Sequence, residues 1–153
     1  MITHRETRLL PYSAEQMFDL VVAVDHYPEF LPWCIGARIR RQEETELWAD
    51  LIIGFKMFRE SFTSHVRIHR PRAVEVGFVE GPFKRLVNQW RFEPQAGGGC
   101  RVDFYVEFEF RSRVLQAAIG ALFHEATRRM IAAFEARAKQ LYGEAARLPE
   151  PKV

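Results

Sequence analysis

Between residues 35 and 110 apolar side chains fall at every second position in short runs, and from residue 112 onward they fall every three or four. The first region therefore predicts antiparallel strands separated by turns. Leu47, Ala49, Leu51, Ile53 and Phe55 share one face of the first clear run, and Phe58, Glu60, Phe62, Ser64, Val66 and Ile68 share a face of the next. Val74, Val76 and Phe78 follow, then Leu86, Asn88, Trp90 and Phe92 after the Gly81-Pro82 pair. The clearest alternation is in RVDFYVEFEF, with Phe104, Val106, Phe108 and Phe110 on one side and Tyr105, Glu107 and Glu109 on the other. One face of this sheet is expected to be apolar and the other solvated.

Ahead of the sheet, residues 2–10 read as a first strand. Ser13 with Gln16 three positions on predicts a capped helix over AEQMFDLVVAV. Behind it, Ser112 to Tyr142 contains no proline and predicts one long helix, about 40 Å or more at 1.5 Å per residue. Its apolar stripe is Ile119, Phe123, Ala126, Met130, Phe134, Ala138 and Leu141. These elements predict an α+β helix-grip architecture, a curved antiparallel sheet of about six to seven strands wrapped around a long C-terminal helix, with a gap left between the two. The boundaries are a single domain over 1–146 and a frayed tail over 147–153, and AGGGC at 96–100 reads as a hairpin turn.

The stretch YPEFLPWC at 27–34 breaks the pattern, with three aromatics, a leucine and a cysteine around two prolines. Proline removes a backbone donor and disfavours helix in the residue before it, so the segment predicts a bent connector. Apolar side chains of this size gain little on a surface loop, which leaves two roles, a lid on the core or the wall of a pocket.

With 48% apolar and 27% charged residues the composition is that of a globular protein, and a net charge of +2 lacks the basic excess of a dedicated nucleic-acid binder, so no DNA partner is expected. No apolar run has the length of a signal peptide or membrane span, so the expected location is the cytoplasm, at most peripheral to the inner face of the membrane. Cys34 and Cys100 lack metal or redox spacing and are expected to be reduced thiols.

Candidate chemistry is sparse. His65 and His69 would stand about 13 Å apart on a strand, too far to share an ion, so no metal is expected. Hydrolase and nucleotide-binding signatures are absent, and Gly97-Gly98-Gly99 lacks the following helix that a phosphate cradle needs. Two polar residues sit on the inward face, Glu60 between Phe58 and Phe62 and Asn88 between Leu86 and Trp90. Each is either satisfied by a neighbour or used to orient a ligand. In LQAAIGALF the small residues Ala117, Ala118, Gly120 and Ala121 leave room above the sheet, for close packing or for a ligand. His124, Glu125, Arg128 and Arg129 are expected to face water, with Glu125 and Arg129 paired.

YPEFLPWC, together with GFKMFRESFTSHV at 54–66 and GPFKRLVNQWRFEP at 81–94, resembles the coenzyme Q-binding protein family, a branch of the START-like and polyketide-cyclase-like proteins. The resemblance spans nearly the whole chain. It implies a hydrophobic tunnel that binds ubiquinone or a related polyprenyl lipid without catalytic cofactors or enzymatic activity, in support of respiratory electron transfer at the inner membrane. By motif, Tyr27, Phe30, Leu31, Pro32 and Trp33 would form the mouth and Gly81, Pro82, Phe83, Lys84, Leu86 and Trp90 the facing edge. Phe58, Glu60, Phe62, Asn88 and Phe108 of the strands, with Ile119, Phe123 and Met130 of the helix, complete the expected ligand-binding set.

The same resemblance extends to bacterial proteins described as ribosome-association toxins. The alternative partner is therefore the ribosome, met by surface arginines such as Arg38, Arg40, Arg41, Arg67, Arg70 and Arg72. A third reading is a cyclase or aromatase with Glu60 as acid or base in an apolar pocket.

Overall fold

Ser13 Oγ accepts from the Gln16 amide at 3.0 Å and Gln16 Oε1 accepts from the Ser13 amide at 2.9 Å, so the first helix starts at the capping box that the sequence predicts. These contacts belong to a computed structural model that describes residues 1–55 and 57–143. The expected boundary at 146 and tail at 147–153 lie outside the described residues, as does the side chain of Phe55. In chain order the elements are β1 Ile2–Leu10, α1 Ala14–Val22, a 3-10 turn Val24–Glu29, β2 Cys34–Gln42, β3 Glu46–Phe55, β4 Phe58–His69, β5 Ala73–Glu80, β6 Phe83–Pro94, β7 Cys100–Phe110, α2 Arg113–Gly120 and α3 Phe123–Tyr142.

The strands form one seven-stranded antiparallel sheet in the order β1-β7-β6-β5-β4-β3-β2. Strands β2 to β7 are a meander. β1 pairs with β7, Ile2 opposite Phe108 and Leu10 opposite Cys100, and so occupies the edge farthest from β2. Register shifts at Cys34/Gly36, Ile39/Arg41, Thr63/Ser64 and Phe83/Arg85 add the local twist that bends the sheet around its helices. The concave face takes the apolar residues of each alternation: Leu47, Ala49, Phe62, Val66, Val74, Trp90, Phe92, Phe104, Val106 and Phe108 are all buried. Gly81, at φ +149°, makes the β5–β6 turn, and a Cβ there would lie 2.5 Å from Phe62 Cβ.

The C-terminal helix is broken, which corrects the single helix expected from the sequence. Ser112 Oγ caps α2 by accepting from the Leu115 amide at 3.1 Å, α2 ends at Gly120, and Leu122 at φ −116°, ψ 1° leads into α3 without a side-chain cap. The break lies where the chain meets β1: a Cβ on Gly120 would be 3.2 Å from Ile2 Cδ1. Two helices cannot keep one stripe in phase across that corner. In α3 the buried residues are Thr127, Ile131, Phe134 and Ala138, while Leu141, expected on the stripe, is 51% exposed.

YPEFLPWC is also more regular than a bent connector. Its first three residues finish the 3-10 turn with Pro28 inside it, where the missing proline donor is tolerated, and the Phe30 and Leu31 amides both donate to Tyr27 O, at 3.2 and 2.9 Å.

Candidate functional site: an uncharged cavity under the C-terminal helices

Sheet, 3-10 turn and helices enclose a cavity of about 280 Å³. Its floor comes from inward positions of β3 to β7, among them Leu51, Ile53, Phe62, Val76, Leu86, Asn88 and Phe108. Val21 of α1, Val24, Tyr27, Leu31, Trp33 and Cys34 form one wall, and Ile119, Phe123, Ala126, Thr127 and Met130 form the roof. Among the described residues, the lining includes no Asp, Glu, Lys, Arg or His.

Of the expected ligand-binding set, Tyr27, Leu31, Trp33, Phe62, Phe83, Leu86, Asn88, Phe108, Ile119, Phe123 and Met130 do line this space. Five do not. Trp90 is on the right face but fully packed, its ring against Phe104 at 4.8 Å and Phe134 at 5.0 Å. Phe30 turns away from the cavity onto Phe134, with centroids 5.2 Å apart, and lies under the Arg137 guanidinium. Pro32 is exposed. Phe58 and Glu60 sit near the β3–β4 hairpin, opposite Phe55 and Ile53; Ile53 lines the cavity, and Phe58 and Glu60 are not among its lining residues. Glu60, considered as an acid or base, is at the edge of this lining and not in it. The sequence also marked the inward faces of Leu51, Val76 and Ala126 without singling them out as site residues, and no side-chain chemistry distinguishes them from ordinary core.

Asn88, Ser64 and Tyr27 of the lining are engaged with the protein itself. Asn88 Nδ2 donates to Tyr105 O at 3.0 Å, and Trp90 Nε1 donates to Asn88 Oδ1 at 3.0 Å. Ser64 Oγ donates to Ala49 O at 3.1 Å. The Tyr27 hydroxyl donates to Val21 O, and burial raises its pKa above the ordinary phenol value. Tyr27 therefore points its oxygen inward to the end of α1 and not to an interface. Burial likewise pushes the Cys34 thiol up.

Outside the cavity, His65 Nε2 donates to Glu46 Oε1 at 2.8 Å and its ring stacks on Trp48, while His69 Nε2 donates to Glu75 Oε1 at 2.9 Å, so the two histidines have separate partners. Glu125 and Arg129 pair at 3.1 Å as expected. His124 is exposed as expected, and it also joins the buried His4 through their Nδ1 atoms at 2.8 Å. Several of the arginines considered for a ribosome contact are already paired: Arg38 and Arg40 with Asp50 at 3.2 and 3.0 Å, Arg41 with Glu43, Arg70 with Asp19 at 2.6 Å. No helix among the described residues is long and apolar enough to cross a membrane.

Comparison with known proteins agrees with this geometry. A START superfamily protein from Mycobacterium smegmatis superposes with a TM-score of 0.78 at 17% identity, covering 91% of this chain and 98% of that one. The ribosome association toxin RatA of Vibrio cholerae is 40% identical over 136 residues, 89% of this chain and 94% of that protein. The mitochondrial coenzyme Q-binding protein COQ10 homolog B of Xenopus laevis is 34% identical over 149 residues, 93% of this chain and 60% of that protein. Residues 10–135 match the family model described as polyketide cyclase / dehydrase and lipid transport, and the chain belongs to that family.

Proposed function

We propose that the protein is a non-enzymatic carrier of an isoprenoid lipid, ubiquinone or a related polyprenyl quinone, held by its head end in the cavity. The observation that carries this reading is the wholly uncharged lining. Burying a charged ligand there would leave it unpaired, whereas an apolar ring or prenyl unit gains about 25 cal/mol for each Å² removed from water. Acid–base catalysis finds little to work with, since the titratable groups in the lining are Tyr27 and Cys34 and burial holds both in their neutral forms. At about 280 Å³ the cavity lies near the lower end of small-molecule pockets, roughly 300–1,000 Å³. It accommodates a head group and the start of a chain, and a longer tail extends beyond it. The named coenzyme Q-binding relative supports the quinone class.

Organic extraction and mass spectrometry of the protein purified from a ubiquinone-producing host is the test. A quinone near one per chain, lost in Ala126→Phe, which fills the roof, supports the reading. Absence of any isoprenoid lipid, even after quinone is added in detergent, overturns it.

A second reading, association with the ribosome, is favoured by the relatives named ribosome association toxin. Its electrostatic contacts would have to come from exposed arginines such as Arg67, which stands between Glu46 and Glu75 in the sheet, and salt-sensitive cosedimentation with ribosomal subunits checks it.

A further inference from the structure

Helix α2 is apolar on both sides. Leu115 is buried beneath it and Ile119 lines the cavity, yet its outward residues Val114 and Ala117 are exposed, and Ala121 and Leu122 continue them at the corner. Its polar Gln116 is occupied, Oε1 accepting from the Phe110 amide at 2.7 Å. A short amphipathic cover on a soluble domain normally turns a charged face to water.

The rest of that end of the molecule is alike. Arg111 donates its amide to Pro82 O, which sets the start of α2 beside the β5–β6 turn, and the β3–β4 hairpin tip belongs to the same end of the sheet. Of the large apolar side chains left exposed, Ile35, Met57, Val79 and Val114 lie at this end, Met57 at 89% and Val114 at 73% exposure. Leu9 and Leu141 lie at the other. Arg59, Arg111 and Arg113 are exposed among these groups. The carboxylates nearby, Glu60, Glu80 and Glu109, are on the strands, and the chain has none from Phe110 through His124.

We propose that this end, the outer face of α2 with the hairpin tip at Met57, docks on a phospholipid bilayer bearing anionic head groups. Exposed apolar side chains interleaved with arginines match the boundary between acyl chains and phosphates, and the bound surface is one helix thick above the cavity. The inference rests on the lipid-carrier reading, because a ligand with a prenyl tail must enter and leave through a lipid phase.

The test is sedimentation of the full chain with vesicles of phosphatidylcholine alone and of phosphatidylcholine with phosphatidylglycerol. The expected result is binding to the anionic vesicles, weakened about tenfold or more by Met57→Asp combined with Val114→Asp, and weakened by added salt. Aspartate at 114 falls in the first turn of α2, where it suits the helix dipole and leaves the fold intact. Leu9→Asp, at the opposite end, leaves binding unchanged. A wild-type chain that stays in the supernatant with anionic vesicles, or a Leu9→Asp variant that loses as much binding as the pair, overturns the proposal, as does cosedimentation with ribosomal subunits in the absence of any vesicle binding. The lipid content of the same preparations separates the two readings: loaded protein that ignores vesicles overturns docking alone, and protein that docks with an empty cavity overturns the carrier reading alone.

Discussion

Arg137 Nη2 on α3 lies 2.6 Å from Glu29 Oε1 at the end of the 3-10 turn, and the same guanidinium sits 5.2 Å over the Phe30 ring. One cation thus fixes the turn that forms a wall of the cavity to the helix that forms its roof. Hydrogen bonds from Arg137 and from His26 hold the Glu29 carboxyl below its ordinary range. Because the folded value is depressed, this contribution to stability is complete above the ordinary carboxylate pKa and is lost as pH falls through the folded one. The protection of the Phe30 and Leu31 amides, relative to the intrinsic exchange rate at each pH, is expected to fall on acidification in the wild type. In Glu29→Gln that protection should be lower at neutral pH and depend less on acid; an unchanged acid dependence would remove this clamp from the account.

Asn88 is expected to matter more for the wall than for any ligand. Asn88→Leu leaves Trp90 Nε1 and Tyr105 O without their partner, at a cost of about 1–3 kcal/mol in urea unfolding. An Asn88→Leu protein of wild-type stability that no longer retained lipid would assign the amide to the ligand instead.

Cys34 and Cys100 are expected to react slowly with thiol reagents at neutral pH. Burial raises both thiols, Cys100 to about 11, so the nucleophilic thiolate is scarce until pH climbs well above the usual thiol range. Cys34 lines the cavity and Cys100 does not, so bound lipid should slow labelling of Cys34 selectively. Equal protection of the two would argue against occupancy of this cavity.

Glu60→Gln should leave both lipid content and unfolding midpoint close to wild type, since Glu60 is not among the lining residues. A large loss of a cyclase-type activity in this variant would restore the catalytic reading.

The face of each strand was legible in the sequence, and the depth along it was not. The alternation through Phe104, Val106 and Phe108 predicts their burial correctly. The same rule carried outward from Phe62 to Glu60 and Phe58 leads to residues outside the lining, because a period of two says which way a side chain points and nothing about where along the strand a void begins. Trp90 shows the converse limit: it faces inward, but Phe104 and Phe134 fill the space around it. The corner between α2 and α3 left one trace, Gly120, in a run otherwise suited to continuous helix. The break lies beside Ile2, more than a hundred residues away in the chain, and local propensity carries no record of that proximity.

The closed hydrogen bonds of Asn88 bear on selectivity. With its amide shared between Trp90 and a backbone carbonyl, the cavity offers a guest shape and dryness but few free dipoles to read its oxygens. Related quinones differing only in ring substituents would then compete by how well they fill the space, and the lipid found inside would follow the lipids the cell makes in abundance.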